Sequence, residues 1–184
     1  MIAYVFWHRP FAHVDREVYE AALARFQSDL PRHQPPGLIA AGSFRIEPVP
    51  WLSDMPGYED WYLVEGSWAL DPLNAFAITG SMQRPHDSVA ALADESHGGL
   101  YAHAGGEPSL AAPSTPVHWL TRPRGIQWQD ALAPVRAKHP RANIWRRQMA
   151  LGPAWEFAVQ APADADIEVP AGWQGLRVNR VKVT

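Results

Sequence analysis

Two stretches of the sequence have the same form: residues 3–10 read AYVFWHRP, and residues 116–123 read PVHWLTRP. Each is a short apolar run that carries a tryptophan and ends in Arg-Pro, which is typical of a β-strand followed by a turn. We interpret the two stretches as the first strands of two copies of one structural unit.

The segments that follow the two Arg-Pro pairs match in the same order, as a search for internal repeats requires. The matched pairs are YEAALARFQSDLPR with WQDALAPVRAKHPR, WYLVEGSWALD with WEFAVQAPADA, and GGLYAHAGG with QGLRVNRVK. Each match is short, but their collinearity indicates a duplication. We therefore expect two units, residues 1–108 and residues 109–184, with a Gly-, Pro- and Ser-rich linker over residues 105–115.

The hydrophobic pattern predicts the elements of the first unit. A helix begins after Asp15 and ends at Pro31, residues 50–57 form a loop, and Gly98-Gly99 is a turn. The predicted elements are strand 3–8, helix 16–30, strands 38–49 and 59–66, helical segments 70–80 and 86–99, and strand 99–104. This order is βαββαβ, the ferredoxin-like unit, and we expect it to hold the binding pocket.

The second unit is an abbreviated copy. Its predicted elements are strand 116–122, helix 127–139 with a kink at Pro134, and strands 142–151, 155–161 and 174–183. Residues 162–173, PADADIEVPAGW, replace the second helix and are too short and too proline-bearing to form one. The fold class is therefore α+β, with two ferredoxin-like repeats of which the second lacks its second helix.

Two ferredoxin-like units in one chain resemble the dimeric α+β barrel superfamily in its fused, tandem form. That superfamily includes antibiotic-biosynthesis-type monooxygenases, EthD-like and NIPSNAP-like proteins, chlorite-dismutase-like haem proteins and stress-response barrel proteins. The resemblance rests on element order and the repeat, and no motif selects one family. It implies a barrel closed within one chain, a pseudo-dimer that is a monomer or forms a homodimer, and a ligand cavity between sheet and helices or inside the barrel.

Composition excludes several classes of function. There are no cysteines, so disulfides and thiolate chemistry are excluded. No apolar run approaches the roughly 20 residues of a membrane span, and the first residues do not read as a signal peptide, so we expect a cytoplasmic protein. Nucleotide-binding and hydrolase motifs are absent.

Charge is divided unequally between the two halves. Residues 1–108 carry a net charge of −8 and residues 109–184 a net charge of +5. This division favours docking of the halves on each other, or an anionic ligand near residues 138–147. The basic residues form no long stripe, so we expect no nucleic-acid partner.

Alternation along the last strand of the first unit selects the candidate catalytic residues. We take Leu100 and Ala102 to face the helices, as their repeat partners Leu176 and Val178 do, which places Tyr101 and His103 in the barrel interior. A tyrosine and a histidine in one cavity can donate and accept protons. The alternative is that His103 is a hydrogen-bonded interior histidine without a chemical role.

Candidate binding residues lie on the strands of the first unit. Trp61, Tyr62 and Trp68 would shape the pocket. At the end of the first strand stand His8 and Arg9, and Arg9 could clamp a carboxylate. Because Arg-Pro recurs in the abbreviated copy, Arg9 is also interpreted as structural, tying the strand end to a neighbouring carboxylate.

The predicted helix HDSVAALADESH carries two histidines on one face, His86 and His97, and Asp94 lies one turn before His97. His86 is a candidate binding residue. Two such groups do not complete a metal site, so we expect no metal and interpret this face as a solvated helix shoulder.

The expected fold and pocket lead to a prediction of function with two alternatives. We expect a small-molecule-binding barrel that acts on an apolar or aromatic metabolite without a cofactor, as a monooxygenase-like or isomerase-like enzyme. One alternative is a barrel that binds a ligand or partner without catalysis. Another is a haem-binding protein with His86, His97 or His103 as the axial ligand, because eight histidines and nine tryptophans keep haem possible.

Overall fold

The structure, a computed structural model, describes all residues except 111–114, 152–153, 163–164 and 166. Four α-helices and nine β-strands lie in the described part of the chain. The helices are α1 (Arg16–His33), α2 (Leu70–Ala77), α3 (Gly80–Ala90) and α4 (Trp128–Lys138). The strands are β1 (Ile2–Pro10), β2 (Leu38–Val49), β3 (Met55–Val64), β4 (Ala93–Gly105), β5 (Val117–Thr121), β6 (Asn143–Leu151), β7 (Phe157–Gln160), β8 (Gln174–Val178) and β9 (Arg180–Lys182).

All nine strands belong to one antiparallel sheet, in the order β8-β5-β7-β6-β4-β1-β3-β2-β9. The strands at its two ends, β8 and β9, are consecutive in sequence and separated only by Asn179. The segment 174–182 therefore pairs with β5 through its first part and with β2 through its last part. This double pairing closes the sheet into an almost complete barrel.

Each half of the barrel has the ferredoxin-like strand order. In the first half the order is β4-β1-β3-β2, and in the second half it is β8-β5-β7-β6, so both read 4-1-3-2. The halves meet where β4 pairs with β6 and where β9 pairs with β2. The predicted fold class, a mixed α+β barrel closed within one chain, is confirmed; the duplication remains a prediction that this shared strand order favours.

Aromatic side chains fill the barrel interior. Trp119 lies at the centre of a cluster in which its ring centroid is 5.3–6.2 Å from four other aromatic rings. Those four rings are Trp7, Trp51, Trp61 and Tyr101. All five side chains are at most 1% exposed, so the interior is a packed core.

One buried ion pair lies inside this core. Glu59 Oε1 accepts hydrogen bonds from Arg180 Nη1 at 3.2 Å and from Trp61 Nε1 at 3.0 Å, and its Oε2 accepts one from Trp7 Nε1 at 3.3 Å. Because Arg180 belongs to β9 and Glu59 to β3, this pair joins the closing strand to the first half.

The helices cover the outer face of the barrel. In the first half, Phe26 and Leu30 of α1, Leu73 of α2 and Met82 of α3 pack over the outer side chains of the sheet. In the second half, α4 covers a separate cluster around Phe157, to which Ile167 and Trp173 also belong. Among the described residues of 162–173 there is no helix, as predicted. No helix in the described part of the chain has the length and apolar content needed to cross a bilayer.

Several predicted boundaries are wrong. The segment predicted as helix 86–99 is helical only to Ala90, and β4 begins at Ala93 because this segment pairs with β1 and Arg9 forms ion pairs with Asp94 and Glu95. Asp94 and His97 therefore lie on a strand rather than one helical turn apart.

Three further local predictions need correction. Gly98 and Gly99 are not a turn but lie within β4, opposite β1. Helix α1 continues past Pro31 to His33, because a proline removes only its own N–H from the ladder. The predicted loop 50–57 contains a 3₁₀ helix, Pro50–Leu52, and β3 already begins at Met55.

The predicted register between the repeats is also wrong. Trp7 packs inside the barrel, whereas its sequence match Leu120 packs beneath α4, and Leu63 and its match Phe157 differ in the same way. Val178 packs inside the barrel instead of facing helices. The Arg-Pro alignment is therefore displaced in the strands, where a shift of one residue reverses the face.

Candidate functional site

A cavity of about 580 Å³ lies between the outer face of the first half of the sheet and helices α1, α2 and α3. Because odd-numbered residues of β1 point into the barrel, its even-numbered residues Tyr4, Phe6 and His8 face this cavity. The second half also contributes, since Met149 of β6 lines the cavity and is paired with Leu100 of β4.

Apolar side chains form most of the cavity wall. Phe6, Phe26, Leu73, Val89 and Leu100 are representative. Three aspartates, Asp60, Asp71 and Asp94, also lie on the wall, whereas no arginine or lysine is among the described residues that line it. An apolar cavity with a few fixed polar groups is the usual form of a small-molecule site.

The main polar group of the wall is His8, whose side chain is only 2% exposed. Its Nδ1 lies 2.6 Å from the hydroxyl of Tyr19 on α1, and its ring stacks on Tyr58 with centroids 5.7 Å apart. The other nitrogen, Nε2, lies 3.3 Å from Asp60 Oδ1 without the alignment of a hydrogen bond. His8 therefore has one nitrogen hydrogen-bonded and one beside a carboxylate.

Asp60 is held by donors on neighbouring strands. Ser43 Oγ of β2 donates to Oδ1 at 2.5 Å, and the Tyr62 hydroxyl donates to Oδ2 at 3.0 Å. Gln27 of α1 in turn donates to the Tyr62 oxygen at 2.8 Å. Because Ser43 and Asp60 are directly opposed in the β2–β3 ladder, the sheet itself sets the position of this carboxylate.

Burial keeps the tyrosines of this network protonated. Burial, followed by the charges of Asp60 and Tyr58, raises the pKa of Tyr19 above its usual value. Burial and the neighbouring Asp60 carboxylate also raise the pKa of Tyr62. Both hydroxyls therefore stay protonated over the physiological pH range.

The geometry suits proton transfer at His8. When Nδ1–H donates to the Tyr19 oxygen, Nε2 carries the lone pair and can accept a proton from a molecule in the cavity. The Asp60 carboxylate then offsets the positive charge of the imidazolium. Tyr19, His8 and Asp60 together form a base whose orientation is fixed from both sides.

Three of the sequence-predicted site residues lie at this cavity. His8 and Tyr62 belong to the network just described. His86 of α3 lines the cavity, with its Nδ1 3.0 Å from Asp87 Oδ1 and its ring against Phe26.

Both predicted catalytic residues lie away from the cavity. Tyr101 faces the barrel interior as predicted, but it packs there against Trp7 and Trp119 and donates its hydroxyl to the carbonyl of Trp155 at 2.9 Å. His103 packs against Trp145 of the same core, with ring centroids 5.1 Å apart.

The remaining predicted binding residues are also outside the cavity. Trp61 is part of the barrel core. Trp68 is 56% exposed, on a 3₁₀ helix that lies against Gly37. Arg9 forms ion pairs with Asp94 at 2.8 Å and Glu95 at 2.9 Å, and the matching Arg122 pairs with Glu156 at 2.8 Å, which agrees with the structural interpretation of both Arg-Pro arginines.

Sequence reasoning missed Asp60 and Tyr19. The alternation of β3 places Asp60 on the same face as Tyr62, a signal that was present. What could not be found was the register that brings Asp60 opposite Phe6, two residues before His8 on the same face of β1. Nothing in the sequence distinguishes Tyr19 from the other residues of the helical segment YEAALARFQSDLPR.

Comparison with solved structures returns barrels of the same architecture. The chain is similar to a provisionally named monooxygenase of Fusobacterium nucleatum subsp. nucleatum, with a TM-score of 0.67 and 8% identity over 100% of this chain and 92% of that one. It is similar to an anthrone oxidase-like protein, with a TM-score of 0.55 and 13% identity over 98% of this chain and 90% of that one. It is also similar to a provisionally named chlorite dismutase, with a TM-score of 0.54 and 11% identity over 100% of this chain and 95% of that one.

At these identities the likeness shows the fold alone, a mixed α+β barrel. No protein-family model matches the sequence, and no curated protein matches it.

A haem does not fit the residues of this cavity. The histidines among its described lining residues are His8, which is held between Tyr19 and Asp60, and His86, whose Nδ1 is beside Asp87. The charged groups on the wall are carboxylates, which would repel haem propionates. Within the described residues no cluster of three or more His, Asp or Glu side chains could hold a metal ion.

Proposed function

We propose that this protein binds a small apolar ring compound in the cavity of its first half and removes a proton from it with His8. This is a monooxygenase-like activity that uses the chain's own residues as the base. One observation carries the proposal: a buried histidine beside a buried carboxylate lies in the wall of an otherwise mostly apolar cavity.

The position of His8 supports a chemical role. An unsatisfied buried polar atom is costly, so a bound molecule that satisfies Nε2 of His8 would be stabilised at this wall. Nε2 of His8 has no aligned hydrogen-bond partner within the described residues, although the side chain is buried. A hydroxyl or an acidic C–H of a bound molecule would supply the missing partner.

The position of Asp60 favours the transfer of a proton to His8. With its carboxylate 3.3 Å from Nε2, the protonated form of His8 gains a favourable charge interaction that the neutral form lacks. Both side chains are at most 4% exposed, so this interaction is weakly screened. His8 therefore acts as the base, Asp60 stabilises its charged form, and Tyr19 fixes the ring.

Deprotonation of an aromatic or enolisable compound gives an electron-rich carbanion or phenolate that can react with O₂. In the case of anthrone, loss of a proton from the ring CH₂ group and reaction with O₂ gives anthraquinone and water. One oxygen atom enters the ring carbon and the other leaves as water. The names of the similar structures, a monooxygenase and an anthrone oxidase-like protein, favour this reaction class.

Oxygen uptake with anthrone as the probe tests the proposal. We expect O₂-dependent turnover by the wild-type protein, and a loss of about a hundredfold or more in kcat for His8→Gln. Asp60→Asn should lower kcat as well. His13→Gln is the matched control, because His13 is an exposed histidine just beyond the same strand and does not line the cavity.

Two results would contradict parts of the proposal. Saturable binding of anthrone without O₂ uptake, unchanged by His8→Gln, would favour a ligand-binding barrel without catalysis. Turnover that His8→Gln leaves intact would remove His8 from the reaction while retaining an enzyme.

A further inference from the structure

The charges of the cavity wall restrict the chemistry of its ligand. We infer that the ligand is a neutral, hydroxylated ring compound and that the cavity rejects the same compound when it carries a carboxylate. This inference rests on the proposed function, because it concerns the occupant of the same cavity.

No positive charge is available to an anionic ligand. The charged side chains among the described lining residues are Asp60, Asp71 and Asp94, apart from the titratable imidazoles. Arg9, which follows His8 on β1, is already paired with Asp94 and Glu95. A buried carboxylate would therefore lose its hydration and gain no counter-charge, which is strongly unfavourable.

The same wall does not provide for a cationic ligand either. The charge of Asp60 faces Nε2 of His8 at 3.3 Å and is taken up by the imidazolium that forms on proton transfer, and Asp94 is paired with Arg9. Asp71 stands on the exposed side of α2, where water screens its charge. No buried carboxylate is thus left to compensate a desolvated cation, and a neutral molecule is favoured.

The cavity wall still offers a hydrogen-bond acceptor to a neutral ligand. Nε2 of His8 is the buried polar atom of this wall that has no aligned partner. A ring hydroxyl can donate to it, while the rings contact Phe6, Phe26 and Leu100. The occupant is therefore a hydroxylated ring compound without an acidic substituent.

Three dihydroxyanthraquinones test this inference as binding probes. Chrysophanol and rhein share one skeleton and differ only in bearing a methyl group or a carboxylate at the same ring position. The methyl ester of rhein removes the charge but keeps the added bulk. Equilibrium dialysis with detection of ligand absorbance gives the three dissociation constants.

We expect chrysophanol and the rhein ester to bind at least about tenfold more tightly than rhein at neutral pH. The variant Asp71→Lys should narrow this difference by providing a cation at the wall. Glu65→Lys is the matched control, because it makes the same charge change at an exposed position that does not line the cavity.

The outcomes separate this inference from the proposed function. Equal affinity for rhein and its ester overturns the inference on charge and leaves the proposed function standing. Failure of all three probes to bind overturns both. Selective binding of the neutral probes without anthrone turnover supports the inference and counts against the catalytic part of the proposal.

Discussion

The hydroxyl of Ser43 lies 2.5 Å from Oδ1 of Asp60, the carboxylate beside His8. Ser43 is fully buried, and its backbone oxygen accepts a hydrogen bond from Val183 N at 2.8 Å, next to the closing strand β9. The end of the chain is thus connected through Ser43 to the candidate base.

Removal of this hydroxyl should affect turnover more than binding. Ser43→Ala leaves one oxygen of a buried carboxylate without its donor, so we expect a loss of about 1–3 kcal/mol in the free energy of unfolding. Because Asp60 is then less well oriented, kcat should fall by about tenfold with little change in KM. Steady-state oxygen uptake and urea unfolding measure both effects.

Ser43→Thr is the control for this prediction, because it keeps the hydroxyl. Rescue of kcat by threonine supports a positioning role for Ser43. An equal loss of stability in both variants, with kcat intact per folded molecule, would show that Ser43 acts only on the fold.

Gly98 and Gly99 are adjacent in β4. Replacing each by alanine tests the cavity wall at the first position and the barrel core at the second. A Cβ on Gly98 would lie 3.1 Å from Tyr4 Cε2 and 3.3 Å from Tyr4 Oη, at the cavity wall. A Cβ on Gly99 would lie 2.9 Å from Tyr101 Cε2 in the barrel core. We expect Gly98→Ala to push Tyr4 into the cavity and raise the Kd for chrysophanol by about tenfold.

Gly99→Ala should behave differently. Its new methyl group overpacks the barrel core, at a cost of about 1–3 kcal/mol in the free energy of unfolding. Ligand affinity should change less than in Gly98→Ala. Thermal unfolding and equilibrium dialysis of both variants measure the two effects. An equal change in the Kd for chrysophanol would contradict the assignment of Gly98 to the cavity face of β4 and of Gly99 to the core face.

The acid stability of the protein should depend on Glu95. Its hydrogen bonds from Arg9 and then His97 lower the pKa of Glu95 to about 2. Since an unfolded glutamate has a pKa of about 4.3, the stabilisation from Glu95 is present above that pH and is lost as the pH falls through about 2. Glu95→Gln should therefore flatten the pH dependence of the unfolding free energy between these values.

Exposed Glu65 provides the comparison for Glu95. Glu65→Gln should leave the acid limb of the stability curve unchanged. A curve for Glu95→Gln that is parallel to that of the wild type would show that the ion pairs of Arg9 contribute nothing to acid stability.

The sequence predicts the architecture better than the faces of the strands. The eight predicted strands overlap all nine observed ones, with β8 and β9 inside the single predicted strand 174–183, because burial of alternating residues is a local pattern. The start of β4 was predicted as helix because residues 93–97 carry no such pattern. Their extended conformation comes from pairing with β1 and from Arg9, which are tertiary interactions.

The candidate site was also only partly predictable from the sequence. His8 and Tyr62 could be selected from the sequence, since both are polar aromatic residues on predicted strands. Tyr101 and His103 were placed inside the barrel, and Tyr101 does lie there, but large aromatic side chains fill that space and the cavity lies on the other face of the sheet. Whether the barrel interior is filled depends on the total volume of the side chains that both halves contribute. The pattern of a single strand does not give that volume.

Closure of the barrel should depend on the ion pair of Glu59 and Arg180. Both side chains are at most 2% exposed, and burial lowers the pKa of Arg180 while Glu59 opposes that shift. Arg180→Met would leave a charged glutamate in the core, so we expect a loss of about 3–5 kcal/mol in the free energy of unfolding. Adding Glu59→Gln removes the buried charge but keeps only one acceptor oxygen, so one of the indole N–H groups of Trp7 and Trp61 loses its acceptor and the double variant should recover part of that loss. Urea unfolding of the single and double variants measures the coupling. If the two losses simply add, the pair does not stabilise the closing strand, and the contacts of β9 with β2 must hold the barrel shut by themselves.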